Sequence, residues 1–325
     1  MSQSSDYEII IIGAGALGLA VARALANAGK GSVLVVEKEE IYGRGISSRN
    51  SEVIHSGIYY PPKSLKAIYC TSGREKLYAY CKEKNIWHNQ CTKLVLAQEN
   101  QINELEQLYK NGLTNGVPDL KMIGKGELSK LEPNIKGKSA LFVGCTGIFS
   151  AHDLMASFYN ESTQMDHDYL FKTELKQCEY YDGRYKLQIE NTLGTVETVT
   201  SDWVINAGGL QSDIIAGMLN HNQNSLPKIT YSKGCYFSLS SKWRNAFNHL
   251  IYPMPDNTRG SLGIHISFDQ NMSAKLGPNV EWMENRVEDY TVKNDLNMIF
   301  FKEAKSYIKG LELSDLTPDF SGIRP

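Results

Sequence analysis

No apolar run in this chain approaches the ~20 residues that carry a helix across a bilayer; the first candidate, residues 9–12, is cut short by Gly13. Met1-Ser2-Gln3-Ser4-Ser5-Asp6 has no basic n-region, so no secretory signal is read. The six cysteines, Cys70, Cys81, Cys91, Cys145, Cys178 and Cys235, are scattered without C-x-x-C spacing. That spacing argues against zinc or a redox pair and fits a reduced, cytoplasmic protein. Peripheral membrane contact stays open, although no basic amphipathic segment argues for it. Lys and Arg (34) nearly balance Asp and Glu (36), and no basic run forms the stripe that a phosphate backbone requires, which argues against nucleic acid as a partner. H-E-x-x-H, a close set of acidic and histidine metal ligands, and G-x-S-x-G are all missing, so neither a metal nor a serine nucleophile is expected.

What is present reads as a globular chain of two domains, since 325 residues usually exceed one compact unit. Residues 9–12 read as a buried strand, 16–28 as an Ala/Leu-rich helix and 33–36 as a second buried strand, together a βαβ unit. Helical composition follows at 64–85 and 101–109. Residues 185–190 and 196–200 alternate around a turn at 191–194, as a hairpin should. Residues 203–206 read as a buried strand ending in Ala207-Gly208-Gly209. Strand-like segments dominate 229–281, including 234–239 and 263–268, before a helical stretch at 295–308.

Gly13-Ala14-Gly15-Ala16-Leu17-Gly18 follows the first strand and opens the first helix, and Glu37 closes the second strand nineteen residues after Gly18. In that context Gly13 permits the tight turn, Gly15 lets the backbone approach a pyrophosphate, and Gly18 allows helix and strand to pack closely. The helix N-terminus offers amides and a positive dipole end. Glu37 suits a free ribose 2′-hydroxyl but does not separate FAD from NAD.

Other segments decide that choice through a resemblance. The stretch Ser47-Ser48-Arg49-Asn50-Ser51-Glu52-Val53-Ile54-His55-Ser56-Gly57-Ile58-Tyr59-Tyr60-Pro61-Pro62 resembles the second flavin-binding stretch of the L-2-hydroxyglutarate dehydrogenases and oxidases, FAD enzymes of the D-amino-acid-oxidase superfamily. The likeness continues in His249-Leu250-Ile251-Tyr252-Pro253-Met254-Pro255-Asp256, Leu262-Gly263-Ile264-His265, Leu276-Gly277-Pro278-Asn279 and Gly322-Ile323-Arg324-Pro325. Asp202-Trp203-Val204-Ile205-Asn206-Ala207-Gly208-Gly209 is similar to the family's later cofactor strand. The resemblance implies an α/β fold: a Rossmann-like FAD-binding domain of the glutathione-reductase type (1–85 with 140–220) interleaved with an antiparallel-sheet substrate domain (86–139 with 221–325). Gly13, Gly15, Gly18, Glu37, Arg49, Asn50, Ser51, Ala207, Gly208 and Gly209 are the expected FAD contacts.

Oxidising a 2-hydroxy acid needs a cation for the carboxylate, a base for the hydroxyl proton and a flavin facing the C–H bond. His55 and His265 are the candidate bases, because histidine accepts a proton near neutral pH. Arg324 is the first choice for the carboxylate, with Arg259 and Arg49 as alternates, and Tyr60 and Tyr252 are candidates for orienting the substrate. The implied reaction is oxidation of L-2-hydroxyglutarate to 2-oxoglutarate, with electrons passed to oxygen or a quinone-linked acceptor. A related amino-acid or glycerol-phosphate flavoenzyme, or a remnant without catalysis, is the alternative. Two departures stand out. Gly147-Ile148-Phe149-Ser150 lacks the acidic residue that the family more often carries near Ser150, and the family pattern continues beyond Gly-Ile-Arg-Pro with a strand and a glycine-containing turn and helix that return to the cofactor domain.

Overall fold

The computed structural model describes residues 4–165, 167–219, 226–255 and 262–325. The chain opens with β1 (Tyr7–Ile12), α1 (Ala16–Asn27) and β2 (Val33–Val36). β1 and β2 pair in parallel, from Ile9 opposite Val33 to Ile12 opposite Val36, a pairing that a helical crossover permits and a tight hairpin does not. α1 stops where Gly29 takes φ 60°; the Gly29 amide then donates to Ala26 O and the Lys30 amide to Leu25 O, closing the last turn.

Next come β3 (Val53–Ile54), α2 (Leu65–Glu83), β4 (His88–Asn89), β5 (Lys93–Ala97), α3 (Ile102–Thr114), β6 (Leu120–Gly124), α4 (Lys125–Leu131), β7 (Ser139–Val143) and β8 (Gly147–Phe149). α5 (Ala151–Thr163), β9 (Asp168–Leu170) and the meander β10 (Thr173–Tyr181), β11 (Arg184–Asn191) and β12 (Val196–Asn206) lead to α6 (Ser212–Leu219). The remainder is β13 (Tyr231–Leu239), β14 (Leu250–Pro253), β15 (Ile266–Phe268), β16 (Ala274–Leu276), β17 (Glu281–Met283), α7 (Asn297–Ala304) and β18 (Leu316–Arg324).

These strands form three sheets among the described residues. The first has the order β10-β11-β12-β1-β2-β9. Its central strands alternate cleanly: Ile10, Ile12, Leu34 and Val36 pack under the meander with Leu187 and Ile189, while Ile9, Ile11, Val33 and Val35 pack with Leu19, Ala22 and Met155 of α1 and α5. Both faces are covered, which is why β1 and β2 read as unbroken apolar runs. The second sheet runs β17-β13-β16-β15-β14-β5-β7-β6, with β18 along β13. It is antiparallel apart from the β14–β5 pair and supports the largest apolar core. A short third sheet, β3-β8-β4, lies between them in sequence.

Three sequence expectations are corrected here. β7 pairs with β5 and β6 in the larger sheet, so the residues from 140 belong to the substrate-side sheet until β8, the reason being that β6 and β7 form one antiparallel pair. β4, expected on the substrate side, pairs with β8 in the small sheet. The strand read at 203–206 is neither separate nor buried throughout: β12 runs unbroken from its hairpin with β11 into parallel pairing with β1, and Trp203 is 67% exposed. No helix among the described residues is long and apolar enough to cross a membrane.

Candidate active site

The first half of the site is the turn between β1 and α1. Gly13 holds φ 103°, and a Cβ there would stand 2.5 Å from Ala207 O. A Cβ on Gly18 would stand 1.9 Å from Gly13 O. Both glycines are therefore required by backbone against backbone. Gly15 differs: at φ −74° it is unstrained, and an added Cβ would meet only the Ser47 hydroxyl, at 3.2 Å. The space over Gly15 is thus bounded by a hydroxyl rather than by chain, as a polar group seated on the helix N-terminus requires. Ser47 Oγ accepts from the Ala16 amide at 2.9 Å.

Ala207-Gly208-Gly209 ends β12 beside this turn, with the Ala207 amide donating to Ile12 O. A Cβ on Gly208 would strike Ile215 Cδ1 at 2.2 Å, and Gly209 takes φ 55°. Glu37 closes β2; its Oε2 accepts from the Ala14 amide (2.7 Å) and its Oε1 from the Glu39 amide (2.9 Å). The carboxylate that was expected to hold a ribose also ties the glycine turn to the end of β2, with lone pairs left over.

The Arg49-Asn50-Ser51 segment is held from both sides. Asn50 Nδ2 donates to Ser47 O (2.8 Å) and its Oδ1 accepts from the Glu52 amide (2.8 Å), which shapes the loop. The Arg49 guanidinium lies over the Tyr290 ring at 4.0 Å, and its Nε is buried without a hydrogen-bond partner. Ser51 Oγ and Tyr236 OH share a 2.7 Å hydrogen bond. β18 crosses directly over this loop, since a Cβ on Gly322 would stand 2.2 Å from Arg49 O. An unpartnered arginine nitrogen on this loop, and a helix N-terminus that the same loop meets through the Ser47 hydroxyl, are groups that fit the pyrophosphate of a dinucleotide.

The second half of the site lies where β5, β14, the start of β15 and the end of β18 meet the loop after β3. His265 stacks on Tyr252 with ring centroids 3.9 Å apart. Its Nδ1 lies 3.2 Å from Gly263 O; a carbonyl only accepts, so Nδ1 carries the hydrogen and Nε2 is bare. That Nε2 is buried and has no partner. Burial first, then the positive charges nearby, push the His265 imidazolium down to about 3. Ile264 fixes the segment: its amide donates to Glu303 Oε1 (2.7 Å), and its carbonyl accepts from Tyr307 OH (2.6 Å).

His55 is brought to the same place, and burial with the charge of Lys93 lowers it to about 4. Arg324 Nη2 donates to Asn279 O at 3.0 Å, and burial pulls its guanidinium down from its usual value. Its charge acts on both His265 and Tyr236.

Tyr252 belongs to this cluster, fully buried. Tyr60 does so less directly: its carbonyl accepts from Asn111 and Asn115, while the neighbouring Tyr59 turns its ring to the cluster. Three residues escaped the sequence reading. Lys93 is completely buried, with Nζ 4.6 Å from the Tyr59 ring centroid and 4.8 Å from that of Tyr252. The only signal for it was a charge heading an apolar strand. Ser47 and Tyr236 had none beyond adjacency to chosen motifs. Arg259 and Asp256 lie outside the described residues. Ser150, near which an acid is missing, caps α5 by accepting from the Asp153 amide, and the Glu52 carboxylate takes the Ala151 amide at 2.9 Å.

The profile of the family described as DAO, FAD dependent oxidoreductase, matches residues 8–325. A mitochondrial L-2-hydroxyglutarate dehydrogenase of Arabidopsis thaliana is 33% identical over 98% of this chain and 73% of its own length. The Homo sapiens protein of the same name is 36% identical over 86% of this chain, which spans 62% of that relative. Among solved structures, the L-alpha-glycerophosphate oxidase of Mycoplasma pneumoniae with FAD bound superposes with TM-score 0.88 at 23% identity, over 98% of this chain and 83% of that one. At that identity it speaks for the fold alone.

Proposed function

Because the chain belongs to the FAD dependent oxidoreductases, we propose that it serves the oxidation of a 2-hydroxy acid, L-2-hydroxyglutarate to 2-oxoglutarate, at the cluster around His265. The observation that carries the reading is the bare, buried His265 Nε2 held within reach of the field of the Arg324 guanidinium. The relatives named above, L-2-hydroxyglutarate dehydrogenases, support the choice of substrate.

FAD would be held by Gly13, Gly15, Gly18, Ser47, Arg49 and the Ala207-Gly208 bend, and would supply a two-electron acceptor for the hydride from C2. Arg324 offers a planar fork to the carboxylate beside that carbon. His265 Nε2 receives the hydroxyl proton, with Nδ1–H anchored on Gly263 O so that the ring presents its acceptor inward. Burial keeps the ring neutral in the free chain, ready to accept, and the substrate's negative charge stabilises the imidazolium once the hydroxyl proton has arrived. His55 stands as the second candidate for the same proton. The named polar groups of the cluster are cationic or neutral, so a substrate's ammonium would be repelled where a hydroxyl is not; this disfavours an amino-acid substrate. The electron acceptor is oxygen or a quinone-linked carrier.

The test is anaerobic mixing of the FAD-loaded chain with each enantiomer. L-2-hydroxyglutarate is expected to bleach the visible flavin absorption while the D form leaves it intact, because one anchored carboxylate and one base fix which face of C2 is presented. Bleaching by glycerol phosphate or an amino acid, with no response to any 2-hydroxy acid, overturns the substrate.

A further inference from the structure

Lys93 has no role in the reaction described so far. It is 0% exposed, and its Nζ has no hydrogen-bond partner among the described residues. Tyr59 OH, whose ring lies against the same ammonium, is also buried and unpartnered. A buried, unpaired ammonium is among the costliest groups a fold can carry unless something completes it. The groups facing Lys93 are His55 and Tyr59 from the loop after β3, Cys70 on α2, Cys145 between β7 and β8, Tyr252 on β14, and His265. Among the described residues, none of the groups acting on its charge is a carboxylate. Two unpartnered donors, an ammonium and the hydroxyl of the ring it lies against, are groups that an anion with two acceptor oxygens would satisfy.

We propose that Lys93, with Tyr59, receives the second, distal carboxylate of a dicarboxylic substrate, and so selects a dicarboxylate over its monocarboxylic analogue. This rests on the reading that Arg324 takes the carboxylate beside the reacting carbon. The two cations sit on different strands, β5 and β18, with His265 within the field of both. A substrate charged at both ends would thus be gripped at each end, with the base along its length. Lys93 is a binding residue in this assignment and moves no proton of the reaction.

Binding of the unreactive probes glutarate and butyrate to the FAD-loaded chain, measured calorimetrically, tests this without turnover. The wild type should prefer glutarate. Lys93→Met should lose that preference by roughly 10- to 100-fold, as expected for a lost hydrogen bond to a charged group, while butyrate affinity holds; Lys93→Arg should keep part of it. At pH 8, glutarate binding should also draw a proton onto the protein, seen as a heat that varies with buffer, because burial lowers Lys93 to about 7; Lys93→Met should not show it. Equal loss for glutarate and butyrate, or unchanged glutarate affinity in both variants, overturns the assignment. Should Lys93→Met fail to fold, Lys93→Gln, which keeps a donor without charge, takes its place under the same criteria. The two proposals fail separately: Lys93-dependent glutarate binding without flavin reduction by any 2-hydroxy acid would sink the oxidation, and reduction by L-2-hydroxyglutarate with an unchanged KM in Lys93→Met would sink the assignment of Lys93.

Discussion

Two lysines are buried in the same nine-stranded sheet, and their surroundings are opposite. Lys233 on β13 is 5% exposed and donates to Asp289 Oδ2 (3.0 Å) and Thr291 O (2.7 Å). Lys93 on β5 has two aromatic rings and, among the described residues, no acceptor. The first explains itself: a charge whose partners came with it ties β13 to the segment before α7. The second is stabilised by nothing but ring faces, worth about 0.5–2 kcal/mol each, against a larger cost of desolvation. The same contrast holds between Glu161, which gathers Arg23, Lys84 and Tyr80, and His265 with its bare Nε2. In these two pairs the completed polar groups hold elements together, and the incomplete ones lie at the candidate site.

The contrast is sharpened most by changing His265 itself. His265→Asn keeps a donor for Gly263 O but no acceptor at the Nε2 position. Flavin reduction by L-2-hydroxyglutarate should slow by ~10²–10⁴-fold with FAD retained, as read by anaerobic stopped flow; an unaltered rate would move the base to His55. Next, Lys233→Met should cost about 1–3 kcal/mol in denaturant unfolding. The full penalty for breaking a buried pair is discounted because the Asp289 side chain is 50% exposed. Its glutarate preference should stay intact, and Lys93→Met should behave in the reverse sense on both counts.

The pH dependence separates the lysines further. Lys93 titrates near 7 in the folded chain against 10.5 ordinarily, so between those values the unfolded chain holds a proton that the folded chain has released. Stability from this group therefore rises with pH across that window and is lost as pH falls through it to about 7. Lys93→Met should melt above wild type at pH 7, by an amount on the order of a few kcal/mol at most, and the gap should close toward pH 10. A constant gap would mean that Lys93 is not desolvated. The smallest effect is expected from Tyr307→Phe, which removes the hydroxyl holding Ile264 O. A loss of about 1 kcal/mol in positioning should lower the rate of flavin reduction a few fold with KM unchanged.

The cofactor half of the site was legible because its constraints are local. Gly13, Gly15 and Gly18 fall within one strand–turn–helix, and Gly18 packs on Gly13 O itself, although Gly13 also meets Ala207 O and Gly15 the Ser47 hydroxyl; β1 and β2 advertise their burial as continuous apolar runs. The ligand half was legible only in part, since its neighbours come from distant parts of the chain. Nothing in Thr92-Lys93-Leu94 says that Tyr59 and Tyr252 will close over the amine, and a lysine at the head of a strand reads as an exposed end. Tyr59 and Tyr60 could not be told apart because the loop after β3 has no alternation to set which side chain faces inward. β7 was misassigned for a related reason: its apolar character suits either sheet, and only its pairing with β6 decides.

Gly322 and Arg324 stand two residues apart on β18, so they belong to the same face of the strand. One of them lies against the Arg49 carbonyl and the other reaches toward His265. The pairing of β18 with β13, from Ser232 opposite Arg324 to Leu239 opposite Leu316, with an irregularity between Cys235 and Phe237, sets both placements at once. A slip of one residue would drive Ile323 into the Arg49 loop and turn the guanidinium to the far side of the sheet. Misassembly at this strand would therefore be all or nothing: a batch of refolded protein should divide into molecules of full specific activity and molecules of none, with no graded population between.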